Sequence, residues 1–322
     1  MPSPVETAAV IGTGMMGPGI ALTLALGGVR ATIVSRNAAN AAAGLVKARA
    51  QASVLVENEL AAPEQIAHAL ELLKSSADLD ASVTDAGLVV ESGPEDLNWK
   101  QDLFARLDAL APNHAVLASN TSGLSITAIA SRCTRPERVM TTHFWNPPHL
   151  IPLVEIVKGE KTSDEAAQTV RALLAACGKT AVIVKKDRPG QLGNRLQQAL
   201  IREAANIVAE GIADAADVDI VARNSFGIRL PAYGILEHQD MVGLDMCVKI
   251  VDYVASDLYN QPHAPDYYHE LVRSGKLGAK TGHGFYDWSV KSADEVKTRR
   301  DNFVMQVLRW RRQSASGAKN AG

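Results

Sequence analysis

The sequence predicts an α/β fold, an N-terminal Rossmann-like doubly wound sheet followed by an all-helical C-terminal domain. Three observations carry this expectation. Short β-rich runs alternate with helical stretches through the first half, a glycine-rich loop follows the first of those runs, and no strand pattern returns between residues 185 and 288. Such alternation winds a largely parallel sheet, because a strand reaches a parallel partner only through a crossover.

The runs lie at residues 8–11, 31–34, 88–91, 116–119, 139–143, 153–157 and 181–184, each short, apolar and rich in Val and Ile as a buried strand requires. Helical periodicity covers residues 63–76, 98–111 and 162–177, the last opening on Thr-Ser-Asp-Glu as a capping box and closing at Gly178. Beyond Lys185, the residues Leu192, Leu196, Leu200, Ala204 and Val208 recur every four positions and mark one face of a helix. Asp187, Pro189 and Gly190 punctuate the chain between the two patterns. The expected division is therefore 1–187 for the doubly wound domain, 188–313 for the helical domain, and 314–322, SASGAKNAG, for a tail that frays.

Composition narrows the function classes. At 322 residues the chain is long enough for two cores, and 47% hydrophobic with 21% charged residues is an ordinary globular balance. The 33 basic and 35 acidic residues give a net charge of −2, so no bulk positive field exists to draw nucleic acid or anionic lipid. Cys133, Cys177 and Cys247 are far apart with no CxxC pair, which points to buried, reduced thiols and to no metal site. The first residues lack a positive n-region, and the apolar stretch 19–34 is broken by Gly27, Gly28 and Arg30, so neither a signal peptide nor a membrane span is expected. A cytoplasmic protein with a small-molecule substrate fits these counts.

The first strand runs into Gly12-Thr13-Gly14-Met15-Met16-Gly17 and then an apolar helix. GxGxxG in that context binds a dinucleotide for physical reasons. Gly12 permits the tight turn, Gly14 lets the backbone approach the pyrophosphate, Gly17 allows close packing, and the helix N-terminus, flanked by Met15 and Met16, stabilises the anion. An acidic residue is expected at the end of the second strand to hold the adenosine ribose, yet the chain there reads Ile33-Val34-Ser35-Arg36. Ser35 and Arg36 suit a 2′-phosphate, Arg36 by a charge-assisted bond, so NADP(H) is favoured over NAD(H). The competing reading has Arg36 stacking on adenine with NAD in use.

Residues 118–157 place Ser119-Asn120-Thr121-Ser122 at one strand end, His143-Phe144-Trp145-Asn146-Pro147 at the next, and Glu155 within the strand beyond. Strand ends of this kind line the ligand crevice of a doubly wound sheet. Glu155 sits between Val154 and Ile156, where an unpaired carboxylate is costly. It therefore needs a cationic or donor partner, and His143 is the nearest candidate.

At these residues the sequence resembles the L-3-hydroxyacyl-CoA dehydrogenase family, including its lambda-crystallin and L-gulonate 3-dehydrogenase branch. The resemblance spans most of the chain through GTGMMGPGIA from Gly12, ESGPEDLNWK from Glu91, SNTSGLSI from Ser119, HFWNPPHLIPLVEIV from His143, KKDRPGQLGNRLQ from Lys185 and GAKTGHGFYDW from Gly278. It implies that His143 is the general base of alcohol oxidation and the acid of the reverse reaction, that Glu155 orients it, and that Ser122 and Asn194 hold the substrate oxygen. It further implies cofactor contacts at Glu95, Lys100, Asn120, Asn146 and Lys280, and a homodimer formed through the helical half. The apolar stretches 241–251 and 304–310 are candidate subunit faces.

Two departures stand out: Ser35-Arg36 at the usual acidic tip, and Gly190-Gln191 where the family usually has Gly-Phe. The stretch 51–58 offers Gln51, Ser53, Glu57 and Asn58 but no lysine for a coenzyme A moiety. Asn146-Pro147-Pro148 and Asn194 to Gln197 resemble the gulonate branch, whereas GAKTGHGFYDW is closer to the acyl-CoA branch. The main expectation is interconversion of a 3-hydroxyacyl-CoA and a 3-oxoacyl-CoA with NAD(P), as in fatty acid metabolism. A dehydrogenase of a free, gulonate- or carnitine-like 3-hydroxy acid is the alternative, and a non-catalytic crystallin-like dinucleotide-binding protein the third. The complete Ser122, His143, Glu155 and Asn194 set weighs against that third reading.

Overall fold

The computed structural model describes residues 5–320. The chain divides into two compact units, one comprising residues up to 192 together with the chain from Arg300, the other Gly193–Arg299.

The first unit is built on one eight-stranded sheet. In chain order it contains β1 (Thr7–Ile11), α1 (Gly17–Leu26), β2 (Arg30–Val34), α2 (Ala38–Glu57), α3 (Pro63–Glu71), β3 (Leu73–Ser76), α4 (Leu79–Thr84), β4 (Leu88–Glu91), α5 (Leu97–Leu110), β5 (Val116–Ser119), α6 (Ile126–Ile129), β6 (Val139–Phe144), β7 (Leu153–Lys158), α7 (Asp164–Ala176) and β8 (Thr180–Val184). The strand order is β3-β2-β1-β4-β5-β6-β7-β8. Every pairing is parallel except β6 with β7. The doubly wound expectation is met. The order reverses between β1 and β4, so the loops after them diverge and open a crevice at their carboxyl ends. Two apolar layers hold the helices on the sheet, one centred on Ile20, Leu22, Leu24 and Ile33, the other on Phe104, Leu107, Leu117 and Ile129.

The seven expected strands form, with ends shifted by a residue or so. β3 departs from the sequence reading, which continued a helix to residue 76. Ile66 and Ala69 bury one face of α3, but the period ends at Glu71, and Leu73–Ser76 pairs with β2 as a sheet edge. Lys74, Ser75 and Ser76 carry little strand propensity, so the edge forms because β2 offers unpaired backbone groups. At α7 the cap is Ser163, whose side chain accepts from the N–H of Ala166, one residue later than the expected box of Thr162 with Glu165, so its third position is Ala166 rather than an acidic residue.

The second unit contains α8 (Gly193–Ala209), α9 (Ala215–Asn224), α10 (Phe226–Arg229), α11 (Ile235–Val242), α12 (Leu244–Ala255), α13 (Asp266–Arg273) and the first turns of α14 (Ala293–Asn320). Along α8 the four-residue stripe is apolar but open at its start, with Leu196 and Leu200 exposed. Met241, Leu244, Met246, Val248, Ile250 and Val251 of α11 and α12 are exposed as well. The 304–310 stretch behaves otherwise. Met305 is buried in the core of the first unit with Val304 and Leu308 against it, while Trp310 stays exposed. Most of that face is intrachain core, and the Arg312 guanidinium ties α14 to the carbonyls of Glu59 and Leu60 after α2. The tail expected to fray from Ser314 is helical as far as Asn320, and the last two residues of that reading lie outside the described residues. Cys247 is buried; Cys133 and Cys177 are half-buried, and all three are free thiols. No described helix is long and apolar enough to cross a membrane.

Candidate active site

The loop after β1 turns at Gly12, whose φ of +120° is closed to side chains and whose Cβ would meet the Ser92 carbonyl at 2.3 Å. A Cβ at Gly17 would strike the Gly12 carbonyl at 2.0 Å, whereas nothing lies within 4 Å of one at Gly14. Gly12 and Gly17 therefore lock the turn while Gly14 faces open space. α1 begins without a side-chain cap and with Pro18 in its first turn, so the remaining N–H groups at its start are free to meet an anion.

A cavity of about 1350 Å³ extends from this loop, lined by Gly12, Met15, Met16, Ser35, Arg36 and Asn120 among others. Its size and its glycine-walled, N–H-rich floor fit a dinucleotide. Arg36 is exposed on that wall and has no hydrogen-bond or ion-pair partner among the described residues. Asp78 and Asp80 line the same end of the cavity, Asp80 already paired with Arg106.

Glu95 and Lys100 both line this cavity and belong to one hydrogen-bonded network. Lys100 is fully buried and donates to both oxygens of Glu91 at 2.6 and 2.7 Å, with Glu95 at 3.5 Å. Glu91, at the end of β4, also accepts from Ser119 Oγ at 2.6 Å and from the N–H of Gly93 at 2.5 Å. Glu95 accepts from the Thr121 hydroxyl and from the N–H groups of Ser122 and Gly123 at 3.1 and 3.2 Å. Burial works to raise the Glu95 pKa, but the Thr121 bond, the Lys100 charge and the two backbone donors outweigh it and hold the carboxyl below its ordinary value. The Glu91 and Glu95 carboxylates thus shape the Ser119–Gly123 loop. Sequence reasoning missed Glu91, although a carboxylate ending the apolar run Leu88-Val89-Val90 carries the signal that picked out Glu155.

The loop brings Ser122 to the histidine. β6 and β7 pair antiparallel with His143 directly opposite Glu155, so the two side chains share one face of the sheet. His143 Nδ1 lies 2.8 Å from Glu155 Oε2, and Ser122 Oγ lies 3.1 Å from His143 Nε2. Both members of the pair are buried. The carboxylate also accepts from Trp145 Nε1 at 3.1 Å and from the N–H of Leu192 at 3.0 Å. With a carboxylate on Nδ1, that nitrogen carries the proton, which leaves Nε2 free to accept one from a group beside Ser122. Asn120 accepts from the N–H of Phe144 at 2.9 Å and faces the dinucleotide cavity, while Asn146 is exposed on the turn after β6.

Two expected site residues stand in the second unit. Asn194 lies in the first turn of α8, and Lys280 lies on the short turn Ala279–Thr281, where it helps line a separate cavity of about 610 Å³ with Tyr268, Phe285 and Trp288.

A dinucleotide crevice whose neighbouring strand ends carry a serine–histidine–glutamate line defines an NAD(P)-dependent alcohol dehydrogenase of the acid–base histidine class. Comparison with known proteins supplies the family. The 3-hydroxyacyl-CoA dehydrogenase NAD-binding domain matches residues 7–188, and the C-terminal domain of the same family matches residues 190–288. The chain belongs to the 3-hydroxyacyl-CoA dehydrogenase family, and it is an oxidoreductase of that type.

Among its relatives, 5-formyl-3-hydroxy-2-methylpyridine 4-carboxylate 5-dehydrogenase of Mesorhizobium japonicum is 32% identical over 95% of this chain and 98% of its own. A probable 3-hydroxybutyryl-CoA dehydrogenase of Bacillus subtilis is 36% identical over 88% of this chain and 98% of its own. L-carnitine dehydrogenase of Streptomyces griseus is 37% identical over 72% of this chain and 68% of its own. A crystal structure of the pyridine-carboxylate 5-dehydrogenase, described as an NAD+-dependent dismutase, superposes with a TM-score of 0.86 over 95% of this chain and 98% of that one, at 31% identity. Thioester enzymes and free-acid enzymes both stand among the relatives, so the two leading readings of the sequence are both represented.

Proposed function

We propose that the protein interconverts a 3-hydroxyacyl-CoA and a 3-oxoacyl-CoA, with the Ser122–His143–Glu155 line as the observation that carries the reading. In oxidation His143 Nε2 takes the hydroxyl proton, and in reduction it returns one to the carbonyl oxygen. Glu155 holds the imidazole in the Nδ1–H tautomer and stabilises the imidazolium. Ser122, with Asn194, binds the oxygen as it changes from alcohol to carbonyl, a change both groups can follow without a change of charge. The nicotinamide ring, when bound, accepts or supplies the hydride. In this reading the dinucleotide is held by Gly12, Gly14, Met15, Met16 and Gly17, with Asn120 and Asn146 toward its nicotinamide end and Lys280 completing the set. Glu95 and Lys100 serve it through the loop they shape.

Ser35 and Arg36 favour NADP(H): an unpaired guanidinium on the adenosine wall matches a 2′-phosphate. The pyridine-carboxylate relative named as NAD+-dependent and the acidic Asp78 and Asp80 on the same wall stand on the other side. A free 3-hydroxy acid is the second substrate reading, supported by the pyridine-carboxylate and carnitine relatives. The division of labour belongs to the same proposal, residues 1–187 holding the dinucleotide and 188–313 the substrate. So do a homodimer formed through the apolar face of α11 and α12, and a cytoplasmic location. The dimer is tested by light scattering, where a monomer at micromolar concentration would remove it.

The reaction is tested by initial rates of NADPH and NADH oxidation with acetoacetyl-CoA, run in parallel with Arg36→Ala. Turnover abolished by His143→Asn supports the thioester reading, and a selective loss with NADPH in Arg36→Ala supports the 2′-phosphate. Equal losses with the two cofactors remove the NADP preference. No turnover by an enzyme that still binds a dinucleotide moves the assignment to free 3-hydroxy acids.

A further inference from the structure

Trp99 stands in the wall of the dinucleotide cavity, where neither the glycine turn nor the acid–base line uses it. It is the only aromatic side chain among the described residues that line this cavity, and it is 38% exposed. Its place is fixed on two sides. Asp96 caps α5 by accepting from the Trp99 N–H at 2.8 Å, which sets the first turn of the helix. The indole then lies across Gly93, two residues beyond the end of β4. A Cβ at Gly93 would meet Trp99 Cη2 at 2.4 Å and Cζ3 at 2.8 Å, so the ring occupies the space that any larger residue at 93 would fill. A large flat apolar surface is thus held at the edge of an open cavity.

A dinucleotide brings two flat rings into the crevice, and the surroundings of Trp99 select between them. Asn120 and Ser122, at the reacting end, follow β5 on one side of β4, whereas β1, β2 and β3 lie on the other. Trp99, Leu103 and Arg106 are spaced i, i+4 and i+7 along α5, so they share the face that lines the cavity. That face leads to Asp80, which Arg106 bonds at 2.5 Å, and so to the loop after β3. Ser35 donates its N–H to the Ser76 carbonyl at the end of β3 at 3.1 Å, which joins this loop to the wall of Ser35 and Arg36. Trp99 therefore belongs to the adenosine half of the cavity, and the ring within its reach is the adenine.

We propose that Trp99 is a cofactor-binding residue on which the adenine ring of the dinucleotide stacks. The indole face and the base face are both apolar, and bringing them together removes surface of each from water. Gly93 belongs to the same site, because its missing side chain is what lets the indole lie there. The inference rests on the dinucleotide cavity alone. NAD(H) and NADP(H) carry the same adenine, so it stands apart from the 2′-phosphate reading of Arg36 and from the identity of the substrate.

The test is calorimetric titration of wild type, Trp99→Leu and Trp99→Phe with ADP-ribose, which carries the adenine without the nicotinamide, and with NADH and NADPH. Leucine keeps apolar bulk in the wall but offers no ring face, whereas phenylalanine offers one. Trp99→Leu is expected to raise the dissociation constant of ADP-ribose and of both dinucleotides about tenfold, the scale of base–aromatic stacking. Trp99→Phe is expected to stay within about threefold of wild type. A spectroscopic signature accompanies the affinities: ADP-ribose should quench part of the tryptophan emission of wild type, and Trp99→Phe should lose that part while still binding. ADP-ribose binding by Trp99→Leu within twofold of wild type overturns the proposal. Equal weakening in the two variants overturns it as well, because the ring face is then not what binds. Should Trp99→Leu fail to fold, the emission decides, and a quench of equal size in wild type and Trp99→Phe sinks the assignment. Arg36→Ala reads the 2′-phosphate separately, so either reading can fail alone.

Discussion

Glu155→Gln is the sharpest perturbation of the proposed chemistry. The amide keeps the size of the carboxylate and an oxygen for the Leu192 N–H, which now bonds Glu155 at 3.0 Å. Toward His143 it changes both charge and hydrogen-bond polarity. The carboxylate oxygen 2.8 Å from Nδ1 becomes part of a group able to present N–H there, and an N–H facing Nδ1 selects the tautomer with its proton on Nε2. That tautomer cannot take a proton from an alcohol held by Ser122. In addition the imidazolium formed in oxidation loses its counter-charge. Two unit charges about 4 Å apart at an effective dielectric near 20 interact by about 4 kcal/mol, which is about three orders of magnitude in rate. Both routes lead to a fall in kcat of about 10³-fold to 10⁴-fold, the scale associated with disabling such a carboxylate. The dinucleotide cavity is lined by other residues, so cofactor affinity should hold. Steady-state kinetics with tryptophan-fluorescence titration of the cofactor reads both quantities. A Glu155→Gln enzyme within threefold of wild-type kcat would refute the acid–base assignment of the pair.

Trp145→Phe removes the indole N–H that reaches Glu155 at 3.1 Å together with one of the two fused rings, while keeping an aromatic group beside His143, whose ring centroid lies 5.4 Å from that of Trp145. One hydrogen bond to a charged group, about 1.5–3 kcal/mol, supports an expected fall in kcat of about 10- to 100-fold with KM unchanged, and steady-state rates check it. His149 gives a stability test. Burial first, and the Lys179 charge second, push its pKa from 6.5 down to about 4, with Asp301 opposing. In that interval the unfolded chain binds a proton that the folded one refuses, so stability falls as pH drops from 6.5 to about 4. His149→Gln should remove about 3 kcal/mol of that acid-side loss, read as a flatter dependence of urea midpoints on pH. Asp108→Asn should cost about 3 kcal/mol, because it leaves the buried Arg138 without the carboxylate it bonds at 2.8 Å, and a urea melt at pH 7 measures it.

The strands were legible because parallel strands buried on both faces read as short apolar runs, and seven of the eight do. β3 was not, since Lys74-Ser75-Ser76 carries no such signal and pairs only because β2 leaves an edge open. The same limit acts at α14. Nothing in the local pattern of Val304, Met305 and Leu308 distinguishes a face that meets another subunit from one that folds back on its own chain. An amphipathic stripe announces that something covers it without naming what does.

At the site the sequence went further, and for a physical reason. A carboxylate inside an apolar strand must have a partner, so Glu155 points to His143 on sequence alone, and the antiparallel register that sets them opposite one another supplies the missing step. Glu91 closes β4 under the same constraint, and its partners are Lys100, the Ser119 hydroxyl and the N–H of Gly93. Two buried carboxylates thus divide the work of placing one hydroxyl against one imidazole: Glu155 fixes the histidine from behind, and Glu91 anchors the base of the loop whose next turns Glu95 holds. Since Lys100 lies within 4 Å of both Glu91 and Glu95, its removal would leave two carboxylates facing one another without their shared cation. Lys100→Met should therefore lower kcat through a displaced Ser122 more than it weakens dinucleotide binding. The opposite order, cofactor affinity lost and kcat at saturation kept, would return Lys100 to the role of a direct cofactor contact.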